Sequence, residues 1–380
     1  MFGNRITLFK LFGFEVKLDW SWIVIAVLVA WSLAEGFFPH YYQGFSTYTY
    51  WLMGILGALG LFASIVFHEF FHSLIARKHG LPMRGITLFI FGGVAEMAES
   101  PPSPKVEFSL AIAGPLSSIF LGVFLYTIYF LGKLIGWPTP INAVFSYLAL
   151  INLVLAFFNL IPAFPLDGGR LLRSALWGWK KDLRWATRIA SNAGMGFGIL
   201  MMGLGIINIL IGNFIGGMWW FLIGMFLRNS AATSYQQLLM KQMLSGESVY
   251  NFMNPNPISV PPYISLNQLV EDYIYKYHFK MFPVVESDKL IGCISISQIK
   301  QIPRERWREV TVGELAESYT SENTISPQAD ALKALSLMNR TGKTRLMVVE
   351  NDRLVGVIAL KDLLKFFSLK LDLEGLEKPE

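Results

Sequence analysis

The chain has 380 residues, of which 53% are hydrophobic and 14% aromatic but only 16% charged, well below the ~25% charged share of an average soluble protein, so most of it reads as a membrane protein. Its net charge of +5 does not come from a basic stripe with interleaved aromatics; the Lys and Arg residues cluster in short loops between apolar runs, which excludes nucleic acid as an expected partner. With one cysteine, Cys293, there is no intrachain disulfide and no thiolate to bind a metal in the apolar part.

Met1 to Trp20 carries Arg5, Lys10 and Lys17 and lacks an apolar core ending in a small-residue cleavage site, so it is expected to be a cytosolic leader of the first span. Six apolar runs then approach the ~20 residues a membrane helix needs: Trp20 to Leu33, Tyr50 to Ala76, Phe108 to Leu131, Ala143 to Leu160, Ile189 to Ile211 and Phe214 to Leu227. Basic residues sit before the first run, between the second and third (Arg77, Lys78, Arg84, Lys105), and between the fourth and fifth (Arg170, Arg173, Lys180, Lys181, Arg184, Arg188). The alternate loops are nearly bare of them, so a multi-pass protein of the cell membrane with both termini cytosolic is expected.

The second run contains His68-Glu69-Phe70-Phe71-His72, and from Trp51 to Ala76 these are the only ionisable residues. Two histidines four apart on a helix lie about 40° apart around the axis and one turn along it, so both imidazoles can reach one divalent ion. Glu69 follows directly on the first ligand and is placed to take a proton from water at that ion. The structural alternative is a pair of core histidines and a buried glutamate, which lipid strongly disfavours without partners. His72 lies only five residues before Arg77, about 7.5 Å along a helix, so the site is expected inside the bilayer near its cytosolic side.

Next, Ile86 to Phe91, Gly92-Gly93 and Val94 to Met97 read as strand, tight turn and strand. Such a hairpin either offers an edge to an unwound substrate or forms a re-entrant loop packed on protein. In the third run, Ala113-Gly114-Pro115 with Ser117 and Ser118 reads as a helix-packing motif. The fourth run carries Asn152 and Asn159 on one helix face and is broken by Pro162 and Pro165 before Leu166-Asp167-Gly168-Gly169-Arg170. Asp167 thereby arrives at the depth of His68 and His72 as a third ligand. Three protein ligands with a fourth position open to water is the catalytic zinc pattern.

Taken together, His68-Glu69-Phe70-Phe71-His72, Phe91-Gly92-Gly93-Val94-Ala95, Ala113-Gly114-Pro115, and Asn159-Leu160-Ile161-Pro162 leading to Leu166-Asp167-Gly168-Gly169-Arg170 resemble the site-2 protease family of intramembrane zinc metalloproteases. The resemblance covers residues 1 to about 230. It implies one zinc ion per chain on His68, His72 and Asp167, activation of water by Glu69, and a place beside the site for Asn159, steadying substrate or the developing oxyanion, with Gly92 and Gly93 in the same neighbourhood. Substrates of such enzymes are membrane-spanning protein segments.

After Leu227 the chain repeats itself: Phe282 to Ser295 aligns with Leu346 to Ala359 at an offset of 64. Each unit reads as helix, strand, charged hairpin turn, strand and helix, and the pair resembles tandem CBS domains. Members of that family often dimerise and bind adenine nucleotides in the cleft between units. Here the ribose-binding pattern is incomplete in both: Ser295 is followed by Gln298 where an Asp is expected, and Asp362 is preceded by Ala359 where a hydroxyl is expected. Nucleotide contacts at Ser295 and Asp362 therefore compete with a plain dimerisation or gating role.

The expected architecture is a polytopic α-helical membrane protein of about six transmembrane helices with a small membrane-embedded β hairpin, plus an α/β CBS-pair soluble domain. Its parts are a protease domain over 1–232, a linker over 233–248, and CBS units over 249–306 and 307–380 with the C-terminal tail. The expected activity is cleavage of membrane-anchored substrates within the lipid bilayer, with the CBS pair regulating access or forming a homodimer. The competing class is a CBS-gated transporter or channel, in which intramembrane His and Asp line an ion path.

Overall fold

The computed structural model describes residues 5–81, 83–89, 92–97 and 101–373. They fall into two compact units, Met1–Tyr235 and Gln236–Glu380.

The first unit is helical. Helix α1 (Ser21–Ser32) runs through a π turn at Leu33–Phe37 into α2 (Phe38–Tyr41); α3 (Thr47–Lys78), α4 (Pro104–Leu134), α5 (Thr139–Asn159), α6 (Asp167–Lys180), α7 (Leu183–Leu210) and α8 (Phe214–Leu244) follow. Five helices among the described residues, Ser21–Tyr41, Thr47–Lys78, Pro104–Leu134, Thr139–Asn159 and Leu183–Leu210, are long and apolar enough to cross a membrane. They carry apolar residues all round, and Leu59, Phe120, Phe124, Leu200 and Ile207 stay more than half exposed or nearly so, the surface expected of helices solvated by lipid. The sixth predicted run is the first part of α8, whose apolar stretch ends at Arg228 while the helix continues to Leu244.

Local chemistry sets the boundaries. Ser46 caps α3, its hydroxyl accepting from the Thr49 amide at 3.2 Å, an interaction worth about 1 kcal/mol. Ser103 does the same for α4. Pro162 and Pro165 cannot continue α5, which ends at Asn159, and α6 restarts at Asp167.

Residues 5–19, ahead of the first span, carry strand structure that the sequence reading does not anticipate. Strands β1 (Arg5–Leu11) and β2 (Phe14–Asp19) form an antiparallel hairpin that turns at Phe12 and Gly13, both with positive φ. Phe14, Val16 and Leu18 are buried while Glu15 and Lys17 alternate between them, the period of two that marks a half-buried strand. The Glu15 carboxylate bridges Lys17 (3.2 Å) and Lys10 (3.3 Å), and these two cations hold it below its usual pKa. β2 then pairs in parallel with β3 (Met83–Phe89), and β3 pairs antiparallel with β4 (Gly92–Met97), giving the order β1-β2-β3-β4 with β4 at an edge.

A second difference concerns Gly92-Gly93, expected as the hairpin turn. Both are paired residues of β4, opposite Phe89 and Leu88; Ile90 and Phe91 between the strands lie outside the described residues. What asks for glycine at 93 is proximity, since a Cβ there would sit 2.8 Å from Glu69 Cγ.

The second unit contains two similar halves. Strands β5 (Met281–Glu286), β6 (Lys289–Ser295) and β7 (Glu317–Ser318) form one sheet, and β8 (Thr324–Ile325), β9 (Arg345–Glu350) and β10 (Arg353–Ala359) the other. Both hairpins turn on two residues of positive φ, Ser287-Asp288 and Asn351-Asp352, the geometry that follows the strand twist. Each half has its own apolar core, one around Val260, Leu269, Phe282 and Ile294 and the other around Val249, Ala334, Leu346 and Ile358; Leu290, Cys293 and Met347 form a small cluster between them. Burial, with Glu317 adding to it, pushes the Cys293 thiol up to about 11, so it stays protonated at neutral pH and serves as an apolar packing group.

Candidate metal centre

His68 and His72 project from one face of α3 towards Asp167, the first residue of α6, and all three are more than nine-tenths buried. Nε2 of each ring lies 3.0 Å from Asp167 Oδ2, and the two Nε2 atoms are 3.2 Å apart. Among the described residues this is the one group of three or more His, Cys, Asp or Glu side chains whose ligand atoms converge.

Helix α4 holds the far sides of both rings. His72 Nδ1 donates to the Leu110 carbonyl at 2.7 Å, and His68 Nδ1 lies 2.9 Å from the Ser118 hydroxyl. A carbonyl can only accept, so His72 carries a proton on Nδ1; in the neutral ring its Nε2 lone pair then faces a carboxylate oxygen and a second imidazole nitrogen. With the Ser118 hydroxyl donating to or accepting from His68 Nδ1, the tautomer in which His68 Nε2 is also a lone pair leaves three acceptors on one point, an arrangement that a cation among them stabilises. Tetrahedral zinc with ligand distances of ~2.0–2.1 Å keeps its ligand atoms about 3.3 Å apart, and the 3.0–3.2 Å triangle is close to that spacing. The donor set and its supports therefore fit zinc.

Between Leu110 and Ser118, one turn from each, Gly114 faces the rings. A Cβ at this position would fall far inside contact distance of Nε2 on both His68 and His72, so α4 can lie against the imidazoles only with glycine here. The Ala113-Gly114-Pro115 motif is thus a packing motif whose packing partner is the metal centre. Ser118, Gly114 and the Leu110 carbonyl were not singled out as site residues from sequence; the i, i+4, i+8 spacing of Leu110, Gly114 and Ser118 was the available signal. Replacing Ser118 with alanine is expected to weaken zinc retention by roughly 10- to 100-fold, the usual effect of deleting a hydrogen-bond partner of a ligating histidine, as read by chelator competition.

Glu69 points from α3 into a cavity of about 630 Å³ that also reaches His68, Gly93 and Asn159. Its remaining walls are mostly apolar and aromatic, including Trp31, Phe62, Phe158, Trp219 and Phe226, with Ser32 and Tyr147 among them. Asn159, half-buried, donates from Nδ2 to the Leu155 carbonyl of its own helix at 3.0 Å and leaves the rest of its amide at the cavity wall. Asn152, seven residues earlier, is fully buried and donates to Ser64 Oγ at 2.9 Å, tying α5 to α3 one turn before His68.

In the second unit a separate cavity of about 380 Å³ is lined by Ser295, Ser297, Lys280, Lys343, Arg345 and Glu317, among others. Ser295 donates there to Gln298 Oε1 at 2.8 Å, in a helix cap. Asp362 is not among the lining residues; its Oδ2 accepts from the Ala359 amide at 3.3 Å.

Comparison with known proteins agrees with both halves of this description. The model of peptidase family M50 matches residues 56–136 and 133–203, and the CBS domain model matches residues 249–304 and 312–369. The zinc metalloprotease Rip3 of Mycobacterium tuberculosis is 31% identical over 99% of this chain and 95% of its own length. The zinc metalloprotease sll0528 of Synechocystis is 33% identical over 96% and 95%, respectively. Among solved structures, the site-2 protease from Methanocaldococcus jannaschii is 30% identical, covering 60% of this chain and 94% of that one with a TM-score of 0.42. A relation that runs nearly end to end through protease and repeat alike leaves one assignment: the chain belongs to peptidase family M50, the site-2 protease family of zinc metalloproteases, and carries tandem CBS domains.

Proposed function

We propose that this zinc metalloprotease is an intramembrane endopeptidase that cuts the membrane-spanning segments of anchored protein substrates. The observation that carries this reading is the cavity at Glu69: a mainly apolar, aromatic-walled space within a bundle of membrane-length helices, suited to an apolar peptide stretch. His68, His72 and Asp167 would hold one zinc ion per chain, which when bound lowers the pKa of water and polarises the scissile carbonyl. Glu69 accepts the proton from the attacking water and delivers it to the leaving amine. Asn159, which also lines the cavity, presents its amide to the substrate carbonyl. The edge of β4, unpaired among the described residues and beginning at Gly92-Gly93, offers backbone hydrogen bonds to a substrate strand. That last step requires the substrate helix to unwind locally, since only extended backbone can join a sheet edge.

The topology that accompanies this reading has six spans, the sixth being the apolar part of α8, a membrane-embedded β3–β4 hairpin, and both termini in the cytosol. The CBS pair forms a homodimer and regulates access, and the cavity beside Ser295, with Lys280, Lys343 and Arg345 on its walls, is where an adenine nucleotide would bind. Family membership among proteases leaves the transporter alternative without support.

Purified protein reconstituted in vesicles with single-span substrates should produce cuts that map within the span. Activity should disappear on treatment with a chelator and return with zinc. Cuts confined to extramembrane loops, or cleavage indifferent to chelator, would overturn the reading. For the nucleotide, calorimetry of the full-length protein with ATP, ADP and AMP is expected to give saturable heat that Arg345→Ala removes.

A further inference from the structure

Helix α6 begins with Asp167 and bears Arg173 six residues on, about 9 Å along the helix axis. Arg173 reaches across to Glu107 on α4: Nε donates to Glu107 Oε1 at 2.7 Å and Nη2 donates to the same oxygen. Glu107 is 1% exposed and its Oε2 has no hydrogen-bond partner among the described residues. Burying such an acid is costly, and its one charged partner, Arg173, offsets that cost, so removing Arg173 would leave the carboxylate uncompensated. The Arg173 guanidinium also lies over the Phe164 ring, 4.9 Å from its centre, and Phe164 belongs to the broken segment that leads directly into Asp167. The Phe164 amide in turn donates to the Ala190 carbonyl of α7 at 3.3 Å.

One side chain therefore joins α4, the segment between the prolines, and α6. On α4, Glu107 lies one turn before Leu110, whose carbonyl orients His72. The ion pair thus connects the support of one metal ligand to the helix that carries another, from outside the ligand set. No side chain caps the start of α6, and Gly168 and Gly169 leave room only for the backbone of residues 160–164, so outside the Asp167 carboxylate itself the first turn packs on main chain. Arg173 adds a side-chain tie from α6 to α4 about one and a half turns further on.

We infer that the Glu107–Arg173 ion pair is a positioning device for the metal centre: it fixes α6 relative to α4 so that Asp167 Oδ2 stays within ligand distance of the His68 and His72 Nε2 atoms. The inference rests on the zinc-ligand reading of those three residues. Neither Glu107 nor Arg173 touches the reacting atoms, and their effect is transmitted through Asp167.

The test measures zinc release to a chelator, and the visible spectrum of the cobalt-substituted protein, for the full chain in detergent. Glu107→Gln and Arg173→Gln are expected to release zinc at least tenfold faster than the unaltered protein, the lower end of the usual range for outer supports. Their cobalt spectra should be altered, and kcat should fall more than KM rises. Glu107→Asp keeps the charge but shortens the reach, so it should be folded and show a smaller acceleration of zinc loss in the same direction; it decides the matter if the glutamine variants do not fold. Asp167→Asn is the reference. If Asp167→Asn loses zinc while the Glu107 and Arg173 variants release it at the unaltered rate with an unaltered spectrum, the positioning role is overturned and the ligand set stands. If Asp167→Asn holds zinc as well as the unaltered protein, the ligand reading itself falls, and the inference with it.

Discussion

Replacing Glu69 with glutamine is expected to lower kcat for cleavage of a membrane-spanning substrate by at least 10³-fold, the upper part of the range for removing a general base, while zinc stays bound at one ion per chain. The separation of the two effects follows from the geometry. The convergent atoms are His68 Nε2, His72 Nε2 and Asp167 Oδ2, whereas Glu69 faces the cavity from the same helix. Glutamine has nearly the same shape, so the cavity and the Gly93 contact survive, and what is lost is the ability to take up and return a proton. Zinc content by elemental analysis and single-turnover cleavage on the same preparation check the expectation. Residual cleavage within tenfold of the unaltered enzyme would remove Glu69 from the base role, and loss of zinc would make it a ligand.

A second large effect is expected from one methyl group. Gly114→Ala puts a Cβ where the Nε2 atoms of His68 and His72 converge, on a helix whose neighbouring turns are fixed to the same rings through Leu110 and Ser118. The helix cannot retreat without breaking those two hydrogen bonds, and the rings cannot turn away without leaving Asp167. Zinc stoichiometry is expected to fall close to zero and activity with it, by more than about 100-fold, because first the ion's position and then its outer supports are disrupted. Gly196→Ala, in α7 with open space around its added Cβ, is the matched control and should leave both measures unchanged. A Gly114→Ala protein with full zinc would show that α4 yields more readily than its contacts imply.

How much of this was legible in the sequence depends on the kind of contact. The convergence of His68, His72 and Asp167 could be read because each member announces itself chemically: two histidines one turn apart in a run whose only other ionisable residue is Glu69, and an aspartate after a proline-broken helix. The repeat could be read because Phe282 to Ser295 and Leu346 to Ala359 share both apolar pattern and turn residues. The N-terminal hairpin was missed although Phe14, Val16 and Leu18 alternate with Glu15 and Lys17 and Phe12-Gly13 supplies a local turn; what no local signal carries is its parallel pairing with β3, some 70 residues away. Gly92-Gly93 looked like a turn because adjacent glycines usually are one; only the approach of Glu69 explains Gly93. Glu107 and Arg173 were visible as charges near the ends of apolar runs, and positive-inside counting treated Arg173 as a topology signal. That a topology signal is also half of a buried ion pair is information held in helix packing alone.

The three supports on α4 have a consequence for how the bundle assembles. Leu110, Gly114 and Ser118 succeed one another at one-turn intervals opposite two rings that are themselves one turn apart. Sliding α4 along α3 by one turn, about 5.4 Å, would bring either Leu110 or Ser118 into the place of the glycine and drive a side chain into the imidazoles. The two helices therefore have a single permitted alignment, and it is read out by a glycine and two histidines. In lipid, where apolar side chains distinguish poorly between one helix alignment and the next, the residues that carry the chemistry also act as the notch that tells the newly inserted helices where to stop.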